Sequence, residues 1–168
     1  MADAPAPSPE VLAVFDAIKA GDAQAVSTAL DGGIDVNAVN KRRDSLLIAA
    51  ATVGNAEISK LLLERGANIE AVNKGGRTPL GSAAFAGAVD VIRLLAEWGV
   101  NLDFQDMSGR TALMYAAMFD QPDAAWALRD VGASVDMTDP GGRTAADMAR
   151  IVGNFRVMDE LRPALPSS

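Results

Sequence analysis

Residues 76–103 read GRTPLGSAAFAGAVDVIRLLAEWGVNLD, and the fold is decided within this stretch. Thr78 stands directly before Pro79, an N-cap residue followed by the residue whose fixed φ suits the first helical position. Ala83 and Ala84 are small enough to let neighbouring helices approach. Gly87 stops that helix in a turn. Val91, Ile92, Leu94 and Leu95 then recur at helical spacing, and Gly99 ends the second helix. Val100-Asn101-Leu102-Asp103 is extended and leads into a further turn, Gln105-Asp106-Met107-Ser108-Gly109. The segment therefore predicts two short helices and a hairpin turn.

The same punctuation recurs along the chain. Gly33, Gly66, Gly99 and Gly132 are spaced 33 residues apart. So are Gly21, Gly54 and Gly87, a series that Asp120 interrupts and Gly153 resumes. Ser45, Thr78, Thr111 and Thr144 form a third series with the same spacing. Three independent series with one period identify a repeat. One unit is too thin to bury its own apolar face, so stacking must bury it, and the two ends need polar caps. Helices over 9–20 and 23–30, opened by Ser8 and Pro9, predict a degenerate first unit. Thr144 to Arg162 predicts the last, with a capping box of Thr144 and Asp147. Arg150, Arg156, Asp159, Glu160 and Arg162 would wet its outer surface.

Composition agrees with thin helical layers. Of 168 residues, 49% are apolar but only 5% aromatic. No apolar run approaches the roughly 18 residues that span a bilayer. There is no cysteine and no histidine, which removes disulfides, thiolate chemistry, the commonest general base and the commonest metal ligand. The net charge of −7 opposes nucleic-acid and anionic-membrane binding and favours solubility. Residues 1–7 read as a disordered Ala/Pro tail and 163–168 as a C-terminal tail. Without a basic-then-apolar start the expected compartment is cytoplasmic; the alternative is a periplasmic or secreted protein whose signal has been removed. The Ala-, Gly- and Arg-rich composition points to a bacterial source.

These residues resemble the ankyrin repeat family. Gly76-Arg77-Thr78-Pro79-Leu80 carries the family's repeat opening in full, and Gly109-Arg110-Thr111-Ala112-Leu113 and Gly142-Arg143-Thr144-Ala145-Ala146 carry it with substitutions. Leu61-Leu62-Leu63-Glu64-Arg65-Gly66-Ala67-Asn68 is similar to the end of the family's second helix and its following turn. The resemblance covers about residues 8–162 and implies an all-α solenoid of helix-turn-helix units joined by β-hairpin turns. The units are expected at about 8–39, 40–72, 73–105, 106–138 and 139–162. The family usually places His three residues after its Thr. Here those positions hold Ile48, Gly81, Met114 and Asp147, so apolar stacking is expected to stand in for the Thr–His network. Gly81 should weaken its helix by about 1 kcal/mol relative to Ala. Asp120-Gln121-Pro122 replaces the turn glycine and predicts a distorted corner between the helices of the fourth unit.

The resemblance also implies where a partner would dock: on the hairpin tips and the exposed side of the first helices, which together form a concave groove. Carried over by position, the tips are Lys41, Arg42, Asp44, Lys74, Arg77, Met107, Ser108, Arg110, Pro140 and Arg143. The helix positions are Thr52, Val53, Phe85, Ala86, Met118, Phe119, Ile151 and Val152. Two features stand out. Phe85, Met118 and Phe119, with Tyr115 one turn earlier, form either a solvent-facing hot spot or part of the core between repeats. Lys41, Arg42, Arg43, Lys74, Arg77, Arg110 and Arg143 line one edge of an acidic protein, and could meet an acidic partner or simply be the family's usual basic residue before the Thr. Trp98 and Trp126 would lie toward the outer side, as scattered apolar residues or as a second contact surface.

Catalysis finds no support. Asp103, Asp106, Asp136 and Asp139 recur with the repeat and read as turn-formers, not as a convergent acid–base pair. Gly75-Gly76 and Gly141-Gly142 lack the Lys-Ser/Thr and the preceding strand of a phosphate loop. No loop carries the 12-residue calcium pattern. The reading is a non-catalytic, monomeric module without cofactor or metal, an adaptor or inhibitor that binds one other protein. The alternative is a scaffold fragment of a larger assembly with no binding role of its own.

Overall fold

A computed structural model describes residues 6–161, the side chain of Glu160 excepted. Part of the expected 1–7 tail, Arg162 and the 163–168 tail lie outside the described residues. Among the described residues ten helices follow one another in pairs: α1 Pro9–Ala20 and α2 Ala23–Asp31, α3 Leu46–Thr52 and α4 Ala56–Glu64, α5 Pro79–Ala86 and α6 Val89–Glu97, α7 Ala112–Met118 and α8 Pro122–Asp130, α9 Ala145–Val152 and α10 Phe155–Leu161. Each odd-numbered helix starts at a hydroxyl. Ser8, Ser45, Thr78, Thr111 and Thr144 accept from the N–H groups of Val11, Ile48, Gly81, Met114 and Asp147. Each such cap stabilises by about 1 kcal/mol. Asp147 returns the bond to Thr144 and completes the capping box.

The odd helices stack in one layer, each against the next, and the even helices in a second layer behind them. The first layer is packed more closely, because alanine lies between its helices: Ala50, Ala51, Ala83, Ala84, Ala116, Ala117 and Ala149 are fully buried. Leu46, Leu47, Leu80 and Leu113 fill the space toward the second layer, where Ile58, Leu62, Val91, Ile92, Leu95 and Leu128 meet them. One apolar core runs from Val14 to Leu161. At the C-terminal end the position occupied by Ala51, Ala84 and Ala117 becomes Arg150, which is exposed. That exchange closes the stack with a polar face.

The fold is the all-α repeat solenoid that the period implies. Its hairpins turn without forming a sheet: among the described residues the β pairing amounts to an isolated bridge between Val39 and Ser45. The expected distortion at Asp120 does not occur. Asp120 adopts φ 54°, the left-handed conformation that Gly21, Gly54, Gly87 and Gly153 hold in the other units. The bond that follows, Gln121 N–H to the Ala116 carbonyl at 2.9 Å, matches Ala88 N–H to Ala83 at 2.9 Å. An acid tolerates this conformation better than most residues, so the corner survives its loss of glycine.

Where the family's His is missing, Ile48 and Met114 are buried in the stack. Three hydrogen bonds between repeats recur instead in the loops. Asn37 Oδ1 accepts from Asn68 N–H at 2.8 Å, Glu70 Oε1 from Asn101 N–H at 2.7 Å, and Asp103 Oδ1 from Ser134 N–H at 2.8 Å. These acceptors are again one repeat apart.

Candidate functional site

Each hairpin is built on one side chain. Asn40, Asn73, Asp106 and Asp139 occupy equivalent positions, and each accepts two backbone N–H bonds from its own turn: Arg42 and Asp44, Gly75 and Arg77, Ser108 and Arg110, Gly141 and Arg143. A backbone bond across the turn closes it, as from Asn73 N–H to the Arg77 carbonyl at 3.2 Å. With its backbone satisfied inwardly, the turn presents its side chains outward. Lys41, Arg42, Arg43 and Lys74 are exposed, and Arg110 is half-buried. None of them meets a carboxylate among the described residues. Met107 is 83% exposed and seals the second hairpin: a Cβ on Gly76 would lie 2.8 Å from its Cγ.

Two residues expected at the tips have other work. Asp44 is a strut: its Oδ2 accepts from Asn40 Nδ2 at 3.0 Å and its Oδ1 from Asn73 Nδ2 at 2.8 Å, joining neighbouring hairpins. Arg143 is neutralised by Asp139, to which it donates from Nη2 at 2.6 Å and Nε at 2.9 Å. Those hydrogen bonds hold the Asp139 carboxyl below the usual range and push the Arg143 guanidinium up. The unpaired basic edge therefore ends at Arg110.

Arg77 closes its hairpin through its backbone, but its side chain leaves the tip. Its stem runs past Gly81, where a Cβ would lie 3.1 Å from Arg77 Cγ and 3.8 Å from the Tyr115 ring. Its guanidinium then lies 4.7 Å from the Phe85 ring centre and 5.1 Å from that of Tyr115. The missing side chain at Gly81 is what lets Arg77 cross the face of α5. Phe119 packs edge-on against Phe85 with centroids 4.5 Å apart and stacks toward Tyr115 at 6.3 Å. The aromatic group is thus neither wholly surface nor wholly core. Tyr115 is buried, and its hydroxyl donates to Asp106. Burial first, then the Asp106 hydrogen bond, pushes that hydroxyl above its ordinary range. Tyr115 therefore lies beneath the exposed Phe119 ring and supports it. Phe85 and Met118 are half-buried, and Phe119 is 43% exposed.

The comparison with known families agrees with this architecture. Ankyrin repeats in three copies match residues 14–106, and a further ankyrin repeat matches residues 108–140. The chain belongs to the ankyrin repeat family. Ankyrin repeats are generally protein–protein interaction modules and typically lack catalytic activity. No curated protein matches this ankyrin-repeat chain.

The remaining surfaces of the ankyrin stack are simpler. Val53, Ile151 and Val152 are exposed at the ends of the odd helices, on the same repeat positions as Ala86 and Phe119 or one before. Phe155, which sequence reasoning missed, is 61% exposed at the start of α10. It borders an open concavity of about 540 Å³ with Met118, Val152 and Arg156. The signal was available: an aromatic residue at a first helical turn, on a helix whose other face supplies the core. Trp98 is exposed behind α6, whereas Trp126 is half-buried with Arg156 lying 4.5 Å over its ring. Trp126 thus holds α8 to α10. Among the described residues no three acidic side chains are placed to hold a metal ion, and no helix is long and apolar enough to cross a membrane.

Proposed function

We propose that the chain is a docking module, an adaptor or inhibitor, that holds one partner protein along its odd-helix layer and hairpin tips. A single observation carries this reading. The exposed apolar side chains Met107, Phe119, Val53, Ile151 and Val152 and the unpaired cations of the first three hairpins belong to the same layer and its turns. Interfaces draw on this mixture of aromatic, Met and Arg residues, with apolar anchors at the centre and charge at the rim. The second layer carries acidic residues such as Glu57, Glu64, Asp90 and Glu97 on its outer side, which suits solvent. The test is affinity capture from the native organism with the wild-type chain and with Phe119→Ala. A partner retained by the first and lost by the second, at unchanged thermal unfolding, supports the reading. A partner held equally by both, or none held by either, refutes it.

A further inference from the structure

The chain has fifteen Lys and Arg residues against twenty-two Asp and Glu, so carboxylates outnumber the cations. Elsewhere they are largely matched: Lys19 with Asp16, Lys60 with Glu64, Arg65 with Asp31, Arg129 with Asp130, Arg143 with Asp139 and Arg150 with Asp147. The hairpin cations from Lys41 to Arg110 have no such match among the described residues. Arg77 differs from the rest of them in being fixed. Its guanidinium is held against two rings, and its stem is fitted over a glycine. Its Nε is buried without a hydrogen-bond partner. A guanidinium immobilised on aromatic faces loses little freedom when it pairs, and its planar fork matches a carboxylate. Beside it, Phe119 offers an exposed ring.

We infer that Arg77 is a preformed receptor for a carboxylate of the partner, and that the partner is an acidic segment with an apolar side chain seated on Phe119. The inference rests on the docking reading above and deepens it by naming the partner's chemistry. Charge complementarity supports the choice of occupant. Lys74, in the same hairpin as Arg77, and Arg110, in the next, carry the same unmatched sign. An acidic segment would neutralise them together, while a basic or neutral one would leave Arg77 half-buried and unpaired, a costly arrangement.

The test uses the full chain and a phage-displayed library of random dodecapeptides, panned on the wild-type protein and on Arg77→Gln. The wild type should enrich peptides in which Asp or Glu lies near an apolar residue, and Arg77→Gln should lose the acidic preference. For the tightest peptide, fluorescence anisotropy should give about tenfold weaker binding to Arg77→Gln. Changing the peptide's carboxylate to its amide should weaken binding to the wild type equally, and should change binding to Arg77→Gln hardly at all, as a direct pair requires. Arg77→Lys, which keeps the charge and the stem but not the fork, should bind several-fold more weakly, and it serves if the Gln variant fails to fold. Peptides without acidic enrichment, losses that simply add, or full affinity in Arg77→Lys would overturn the inference. Peptides selected through Phe119 but free of carboxylates would overturn it and leave the docking reading standing. Selection of no peptide at all would count against both.

Discussion

Arg43→Gly should make the protein more stable, although it removes a side chain and adds none. Arg43 adopts φ 60° at the hairpin position where Gly76, Gly109 and Gly142 adopt 76°, 71° and 74°. Three repeats meet this left-handed requirement with glycine and one does not. For an L-residue the conformation costs roughly 1–2 kcal/mol. Glycine removes that strain but adds freedom to the unfolded chain, returning about 0.5–1 kcal/mol of the gain. The side chain is exposed and joins no ion pair, and the Arg43 N–H bond to the Asn40 carbonyl at 2.8 Å is kept. The net gain should therefore be about 0.5–1 kcal/mol, or about 1–4 °C in melting temperature for a chain of this size. Asp120→Gly should gain less, since acids are tolerated there. The opposite change, Gly76→Ala, should destabilise, because its Cβ would lie 2.9 Å from the Met107 backbone nitrogen, which cannot step aside. Urea unfolding at constant m-value measures all three. Arg43→Gly melting at or below the wild type would refute the reasoning.

Three further outcomes follow from the same geometry. Tyr115→Ala should lose about 3–5 kcal/mol, because the ring is buried, while Phe119→Ala should lose under about 1 kcal/mol; the reverse order in urea melts would exchange support and surface. Gly81→Ala should gain up to about 1 kcal/mol of helix stability yet weaken an acidic peptide, since its Cβ would push at Arg77 Cγ from 3.1 Å; anisotropy and a melt on the same variant read both effects. The Asp139 carboxyl lies below its ordinary value because Arg143 hydrogen-bonds its charged form. A depressed folded-state value stabilises above the unfolded pKa of about 3.9 and is lost as pH falls through the folded one. Asp139→Asn should accordingly flatten the loss of melting temperature below about pH 4, and an unchanged acid limb would contradict the pairing.

The period was legible because every unit must offer its neighbours the same contacts, so glycine stops and hydroxyl caps repeat with the fold. The path of Arg77 was not. It depends on an absent side chain at Gly81 and on a ring, Tyr115, supplied by the following repeat, and neither is marked by local pattern. Asp44 reads as a tip by position and becomes a strut only because Asn73 of the next hairpin reaches it. The basic stripe was legible in sign but not in availability.

What sets that availability is one oxygen atom per hairpin, and it leads to a sharper prediction. Asn40 and Asn73 carry no charge to offer the basic residues of their turns. Asp106 and Asp139 do, and each spends one oxygen on backbone N–H groups. The second oxygen of Asp139 takes Arg143. That of Asp106 is taken by the Tyr115 hydroxyl, and Arg110 is left unpaired. The residue equivalent to Tyr115 beside Asp139 is Met148, which has no proton to donate. Tyr115→Phe should therefore free Asp106 to pair with Arg110 as Asp139 pairs with Arg143. The lost hydrogen bond costs about 1 kcal/mol, and a partly exposed ion pair offsets about 0.2–1 kcal/mol of it. The variant should melt nearly like the wild type while its Arg110 side-chain NMR signals shift and slow in exchange. It should also bind an acidic peptide less well, with a weaker dependence on salt. Unaltered Arg110 signals would mean that the tyrosine does not keep this cation free.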